Sequence, residues 1–447
     1  MAKIGFISLG CPKNLIDSEV MLGLIKGKGH ILTTDTKEAE VIIVNTCSFI
    51  EDAKQESIDA ILEAARLKSD GSCKRLIVTG CLAERYPQEI RSDLAEVDAI
   101  LGTNQVLQIA GAIEGNNIPP PNSFGRVGED LFLYDHTMPR ELITPRYSAY
   151  MKIAEGCNHT CSFCIIPKIR GPYRSRTIDS LVQEARQLAG RGVREVTLVS
   201  QDTTSYGADL GLQDGLAQLL EALDQVEDLV WIRFLYLYPN LVSEKLLEIV
   251  ASSPRICKYI DMPLQHVSSR VLKSMRRGGD RSSLTRLVEH IRRRIPGLIF
   301  RTTMIVGYPG ETEEDFEELK SFCKDMEFDR LGVFGYSDEA DTAAYDCDSK
   351  VSRAVARHRL SVLMTQQTRI ASRNNRSLVG KELPVLIEGV SRESALLLQG
   401  RLESQAPDID GICLINDCTV GELQPGEFRT IRITRAIQHD LLGTVVR

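Results

Sequence analysis

Short apolar runs, each closed by a small residue, alternate with amphipathic stretches over the first 115 residues. Residues 4–9, 41–44, 76–78 and 98–101 read as strands, and 18–26, 53–67 and 87–94 carry the helical repeat. Strands alternating with helices predict an open parallel α/β sheet, of the flavodoxin-like kind. Ligands of such sheets bind outside the carboxyl ends of the strands. Three of the runs end at a cysteine: Cys11, Cys47 and Cys81. Cys73 lies in a turn-like stretch and breaks the pattern. Residues 116–123, rich in Asn and Pro, read as the start of a linker, and 124–146 as a connecting segment packed on the next domain.

From 147 to 370 the alternation resumes. Strands are expected at 149–154, 195–200, 231–237, 258–262, 298–306 and 331–336. Helices are expected at 177–191, 216–223, 243–251, 268–275, 282–294 and 313–326. Six β/α units predict a partial (βα)6 barrel rather than an eight-fold one, with its active face at the carboxyl ends of the strands. From 371 to 447 the period shortens to strands at 382–387, 395–398, 411–415, 428–433 and 443–446, separated by Gly, Pro, Asn and Asp. Five short strands in so few residues predict a small OB-like β-barrel. The domains are therefore expected at 1–115, 147–370 and 371–447, with 116–146 between them.

Charge narrows the choice of partner. The chain of 447 residues carries a net −7, and 376–447 holds eight Lys/Arg against ten Asp/Glu. A nucleic-acid binder of this size would be expected to concentrate basic residues, so the acidic barrel suits a basic protein better than a phosphate backbone. No apolar run approaches the length of a membrane span, and the start of the chain lacks the pattern of a secretory signal. Twelve cysteines without such a signal point to a reducing compartment, the cytoplasm, where cysteines more often bind metal or react than pair.

The candidate chemistry is concentrated in Gly156-Cys157-Asn158-His159-Thr160-Cys161-Ser162-Phe163-Cys164, after the first strand of the barrel. Thiolates are the usual ligands of iron–sulfur clusters. Three thiolates on a four-iron cluster leave one iron open for a substrate or cofactor, as open positions do at catalytic metal sites. The alternative is a zinc ion with His159 as fourth ligand. Cys11, Cys47 and Cys81 would meet at one rim of the first sheet and form a second three-thiolate set.

Other candidates follow barrel strands. Gln201 and Asp202, in Ser200-Gln201-Asp202-Thr203-Thr204, are placed to hold the ribose or amino-acid end of a cofactor. Gly307, Gly310 and Glu311 belong to a glycine-rich loop that lets backbone approach a flat ring. The stretch 261–266, ending at His266, is a candidate lining of the substrate cavity. Lys168, Arg170, Arg174 and Arg176 read as a basic patch beside the cysteines, with Arg174 or Arg176 as a substrate contact. Cys257 and Cys323 sit among apolar neighbours and read as core, and Cys347, Cys413 and Cys418 receive no role.

The order of Cys11/Cys47/Cys81, then Cys157/Cys161/Cys164, then a small β-barrel resembles the radical S-adenosylmethionine (SAM) methylthiotransferases over essentially the whole chain. Ser8-Leu9-Gly10-Cys11-Pro12-Lys13-Asn14-Leu15, and Cys164-Ile165-Ile166-Pro167 followed by Ile169-Arg170-Gly171, resemble its RimO branch. The Gln-Met-Asn and Val-Pro-Tyr-Thr-Arg-Gly-like stretches of the transfer-RNA branch are absent. The resemblance implies a flavodoxin-like domain, a radical SAM partial barrel and a TRAM domain. It implies two 4Fe–4S clusters and SAM in two roles, as radical source and as methyl donor. Cys157, Cys161 and Cys164 would hold the cluster that cleaves SAM, and Cys11, Cys47 and Cys81 an auxiliary cluster that carries the sulfur. The implied target is the β-carbon of an aspartate in small-subunit ribosomal protein S-twelve, free or on the ribosome. A donor such as flavodoxin or ferredoxin would supply electrons. The rivals are a tRNA adenosine methylthiotransferase, and an iron–sulfur redox protein or scaffold that never cleaves SAM.

Overall fold

The computed structural model describes residues 1–121, 131–392, 394–417 and 422–446. The expected linker residues 122–130, and Cys418, lie outside them.

The first part is a five-stranded parallel sheet in the order Ile31–Thr33, Lys3–Ser8, Val41–Thr46, Arg75–Gly80, Ala99–Leu101. This 2-1-3-4-5 order is that of flavodoxin-like sheets, whose ligand crevice lies where the order reverses. The apolar pattern does not reveal the edge strand Ile31–Thr33, because it is three residues long and only half covered. The helix expected from residue 18 begins at Pro12 and runs to Gly27. Its first turns bury Asn14, Asp17, Ser18 and Glu19, so the buried face carries polar residues and hides the helical repeat.

The central part contains six parallel strands in two three-stranded sheets. Ser148–Lys152, Glu195–Val199 and Trp231–Phe234 form one, and Tyr259–Asp261, Ile299–Val306 and Arg330–Gly335 the other. A parallel bridge between Ile232 and Ile256, and the bond from Leu237 N to Asp261 O, join them. The expected partial barrel is present. A helix that the apolar pattern does not reveal, Arg353–Arg376, closes the part. It buries Arg359, Leu363, Gln367, Ile370, Ala371 and Asn375, and half of that stripe is polar.

The last part is a closed five-stranded barrel: Glu382–Val390, Leu398–Leu402, Cys413–Asp417, Asp440–Val445 and Phe428–Ile437. The strand expected at 395–398 instead starts at Leu398. Gly400, which reads as a breaker, sits inside it where Leu386 O leaves no space for a side chain.

One apolar cluster runs through all three parts, from Ile4 and Ile16 through Tyr150, Trp231 and Tyr259 to Leu386 and Ala406. Buried ions pin the same seams. Arg140, in the connecting stretch, donates to Glu19 of the first part (2.8 Å), and to Glu184 (2.6 Å) and Tyr150 O (2.5 Å) of the second. Arg401 of the barrel pairs with Glu195 at 2.5 Å, and Arg233 adds a second cation to that carboxylate at 3.3 Å. No helix among the described residues is long and apolar enough to cross a membrane.

Candidate active site

Cys11, Cys47 and Cys81 each follow a parallel strand, Cys157 follows the short strand Ala154–Glu155, and a recurring local device aims three of these four. Gly10, Gly80 and Gly156 stand immediately before Cys11, Cys81 and Cys157, with φ of +85°, +94° and +84°. A side chain there would be strained and would overlap neighbours. A Cβ on Gly10 would lie 2.7 Å from Cys47 Cβ, and one on Gly156 would lie 2.1 Å from Pro172 O. Glycine thus brings the Cys11 and Cys47 loops into contact and lets the Cys157 loop fold back on 171–172, where Cys157 N donates to Gly171 O.

The electrostatics of the two sets differ. Burial raises the thiols of Cys81 and Cys164 to about 12 and that of Cys157 to about 11. Burial also raises Cys47. At Cys11 burial acts in the same direction, but the charges of Lys13 and Arg170 outweigh it and lower the thiol. All six thiols are free of disulfides. No three His, Cys, Asp or Glu side chains among the described residues are placed to ligate a single metal ion. Thiolates are the donor type that iron–sulfur clusters take. His159, the zinc alternative's fourth ligand, is held by a carboxylate and an aromatic ring. Its Nε2 lies 2.6 Å from Asp202 Oδ2, and its ring stacks on Tyr238 at 3.8 Å.

Arg170 joins the two sets. It lies six residues beyond Cys164, in the short helix Ile166–Arg170. Its Nη2 donates to Cys81 Sγ at 3.2 Å and to Asn14 Oδ1 at 3.2 Å. Its Nη1 donates to Asp17 Oδ2 at 2.7 Å and to Glu155 Oε2 at 3.2 Å. Glu155 directly precedes Gly156-Cys157, and Lys152 bonds both Asp17 and Glu155. Lys152 and Arg170 hold the Glu155 carboxyl ionised against its burial, at about 2. Isolated buried charges are costly, whereas this group is paired throughout.

The expected basic patch is therefore corrected. Arg170 is buried, and Arg176 is buried against Glu184 at 2.5 Å and Lys152 O at 3.0 Å. Among the described residues of the patch, Arg174 keeps two buried guanidinium nitrogens, Nε and Nη2, without a partner, and Arg176 keeps one, Nε. Sequence reasoning saw four cations in a row but not the acids Asp17, Glu155 and Glu184 that the fold brings to them.

The cofactor candidates divide in two. Gln201 Nε2 donates to Glu155 Oε1 at 2.5 Å, while Gln201 Oε1 is buried with no partner. Asp202 accepts from His159, Ser205 Oγ (2.5 Å) and Thr204 N (3.0 Å). Both thus touch residues of the Cys157 loop. Gly307, Gly310 and Glu311 face the helix Arg353–Arg376 and the loop before it. A Cβ on Gly307 would meet Ala356 Cβ at 2.5 Å, and one on Gly310 would lie 3.2 Å from Ser349 Oγ. Glu311 accepts from Arg359 at 2.8 Å. His266 is wholly buried, its Nδ1 accepting from Ser268 N at 3.0 Å, so it belongs to the interior.

Three residues that pattern reasoning missed hold the cysteine loop. Tyr308 Oη lies 2.8 Å from Ser162 Oγ, between Cys161 and Cys164, and Ala344 N donates to Ser162 O at 2.8 Å. Arg277 Nη1 lies 3.5 Å from Cys161 Sγ, with its guanidinium over the Tyr238 ring. Tyr308 was legible only as part of a Gly-Pro loop, and Arg277 had no motif around it.

Comparison with known proteins agrees with the three-part order of the chain. Residues 3–102 match Uncharacterized protein family UPF0004, 151–323 the Radical SAM superfamily, and 379–446 the TRAM domain. Solved structures of the radical SAM methyltransferase TsrM from Kitasatospora setae share the fold. One superposes with a TM-score of 0.54 at 14% identity, over 74% of this chain and 73% of that one. "Ribosomal protein uS12 methylthiotransferase RimO" of Solibacter usitatus is 52% identical over 99% of this chain and 95% of its own length. The protein of the same name from Myxococcus xanthus is 49% identical over 98% and 91%. With such similarity along nearly its whole length, the chain belongs to the RimO family of radical SAM methylthiotransferases.

Proposed function

We propose that the protein methylthiolates the β-carbon of an aspartate in ribosomal protein uS12, in the cytoplasm, with a flavodoxin- or ferredoxin-like electron donor. Cys157, Cys161 and Cys164 hold one 4Fe–4S cluster and Cys11, Cys47 and Cys81 a second. The first cluster with SAM supplies a radical able to take hydrogen from an unactivated carbon, and the second presents sulfur, the hard chemistry being the cofactors' own. The observation that carries the reading is Arg170, which bonds a thiol of one set and, through Glu155, the loop bearing the other. That seam brings together the two functions that one product requires.

The chain's residues bind and orient. The unpartnered Gln201 Oε1 accepts a hydrogen bond from SAM, and Asp202 fixes His159 and thereby the cysteine loop. Gly307, Gly310 and Glu311 shape the loop that carries Tyr308 under Ser162. The acidic barrel favours a basic ribosomal protein over tRNA. The test is anaerobic incubation of reconstituted enzyme, SAM, sulfide and reductant with recombinant uS12 and, separately, with tRNA. The mass gain of one methylthio group is expected on the uS12 aspartate, and gain on tRNA alone overturns the reading.

A further inference from the structure

Lys13 is a cation beside the auxiliary cysteines with no carboxylate partner among the described residues. It comes directly after Cys11-Pro12 in the sequence and is only partly covered, as is Cys11. Its Nζ lies 3.6 Å from the centre of the Tyr236 ring. Tyr236 follows the barrel strand Trp231–Phe234 and holds a left-handed backbone, φ +66°. Two bonds fix it there, from its N to Asp261 Oδ2 at 3.0 Å and from Thr203 N to its O at 3.0 Å. The ammonium therefore stands where the two cysteine-bearing parts meet, held over an aromatic face.

Of the neighbouring cations, Arg170, Arg301 and Arg277 are committed elsewhere, and Arg174 through its Nη1 alone. Arg170 is bound by Asp17 and Glu155, and Arg301 pairs with Asp261 at 2.6 Å. Arg277 donates to Cys161 Sγ and to Pro263 O, on the SAM-cleaving side. Arg174 donates to the peptide oxygens of Arg170 and Pro172.

An aspartate target brings its own negative charge to this partly covered seam. Such a charge is costly to bury unless a cation meets it. It must also lie beside the site that presents sulfur, which is the Cys11 side. We propose that Lys13 binds the carboxylate of the target aspartate and sets the preference of the enzyme for an acid over its amide. The inference rests on the aspartate reading above and adds the residue that recognises it.

The test is a double-mutant cycle between enzyme and target. Binding of fluorescently labelled uS12, and of its variant with the target Asp changed to Asn, is measured with cluster-loaded parent, Lys13→Met and Lys13→Arg enzymes. The parent is expected to bind the Asp form about tenfold more tightly than the Asn form, the scale of a charge-assisted bond of roughly 1.4 kcal/mol. Lys13→Met should bind both forms equally, and Lys13→Arg should keep part of the preference. Iron content equal to that of the parent verifies that each variant retains its clusters. Equal binding of both forms by the parent, or an unchanged preference in Lys13→Met, overturns the proposal. A parent that fails to methylthiolate the Asp form overturns the aspartate reading, and this inference with it.

Discussion

Arg170 Nη2 lies 3.2 Å from Cys81 Sγ, although the two residues belong to different parts of the chain. The same guanidinium bonds Asp17, Asn14 and Glu155. One side chain thus ties a thiol of the first sheet to the peptide that leads into Cys157. Hydrogen bonds to a ligating sulfur orient it and tune the cluster it holds.

Arg170→Lys keeps a charge but cannot span four partners, because an ammonium lacks the planar fork. The auxiliary cluster of this variant, isolated in a background lacking Cys157, Cys161 and Cys164, should be lost to an iron chelator about 10- to 100-fold faster than in the same background with Arg170. Bleaching of the cluster absorbance gives the rate. Equal rates would show that the contact does not support the site.

Gly156→Ala should remove the radical cluster and spare the auxiliary one. The added Cβ meets Pro172 O at 2.1 Å and requires φ of +84°. Iron per chain should fall to about half, and SAM cleavage should be lost. Iron analysis and detection of 5′-deoxyadenosine check both, and full cleavage by the variant would contradict the account of the loop.

Arg401→Ala should loosen the barrel from the central part. It strips Glu195 and Glu388 of a buried partner. Breaking a buried pair costs about 3–5 kcal/mol, and Arg233 and Ser148 still support Glu195, which places the loss at the lower end. Urea unfolding measures it, and a change below about 1 kcal/mol would mean the contact is dispensable.

The strand-end places of Cys11, Cys47 and Cys81 and the three-part order were legible because each is a local signal: an apolar run, a small residue, a thiol. The basic stretch after Cys164 was legible as charge but not as structure, since Arg170 and Arg176 find Asp17, Glu155 and Glu184 only when the fold is complete. The helix Arg353–Arg376 stayed hidden for a related reason. Its buried stripe includes Arg359, bonded to Glu311, and Gln367, bonded to Phe328 O. Polar residues satisfied across long sequence separations leave no periodic apolar trace.

His266 gives the interior an acid-sensitive point. Burial holds it at about 4, below its ordinary 6.5, with Asp315, Arg270 and Arg359 the charges nearest it. The unfolded chain takes up its proton first, so this contribution to stability is complete above pH 6.5 and is lost as pH falls toward 4. His266→Gln should remove up to roughly 3 kcal/mol of the stability difference between pH 7 and pH 4. Urea midpoints across that range test it, and parallel pH profiles for parent and variant would contradict it.

The central claim is that two separate three-cysteine sets each hold a four-iron cluster. Iron and sulfide are counted on anaerobically reconstituted parent, on the Cys11/Cys47/Cys81→Ala variant and on the Cys157/Cys161/Cys164→Ala variant, alongside SAM cleavage. The account predicts about eight irons in the parent and about four in each variant, with SAM cleavage surviving only where Cys157, Cys161 and Cys164 remain. Four irons in the parent, or none in the variant that keeps Cys11, Cys47 and Cys81, would contradict it.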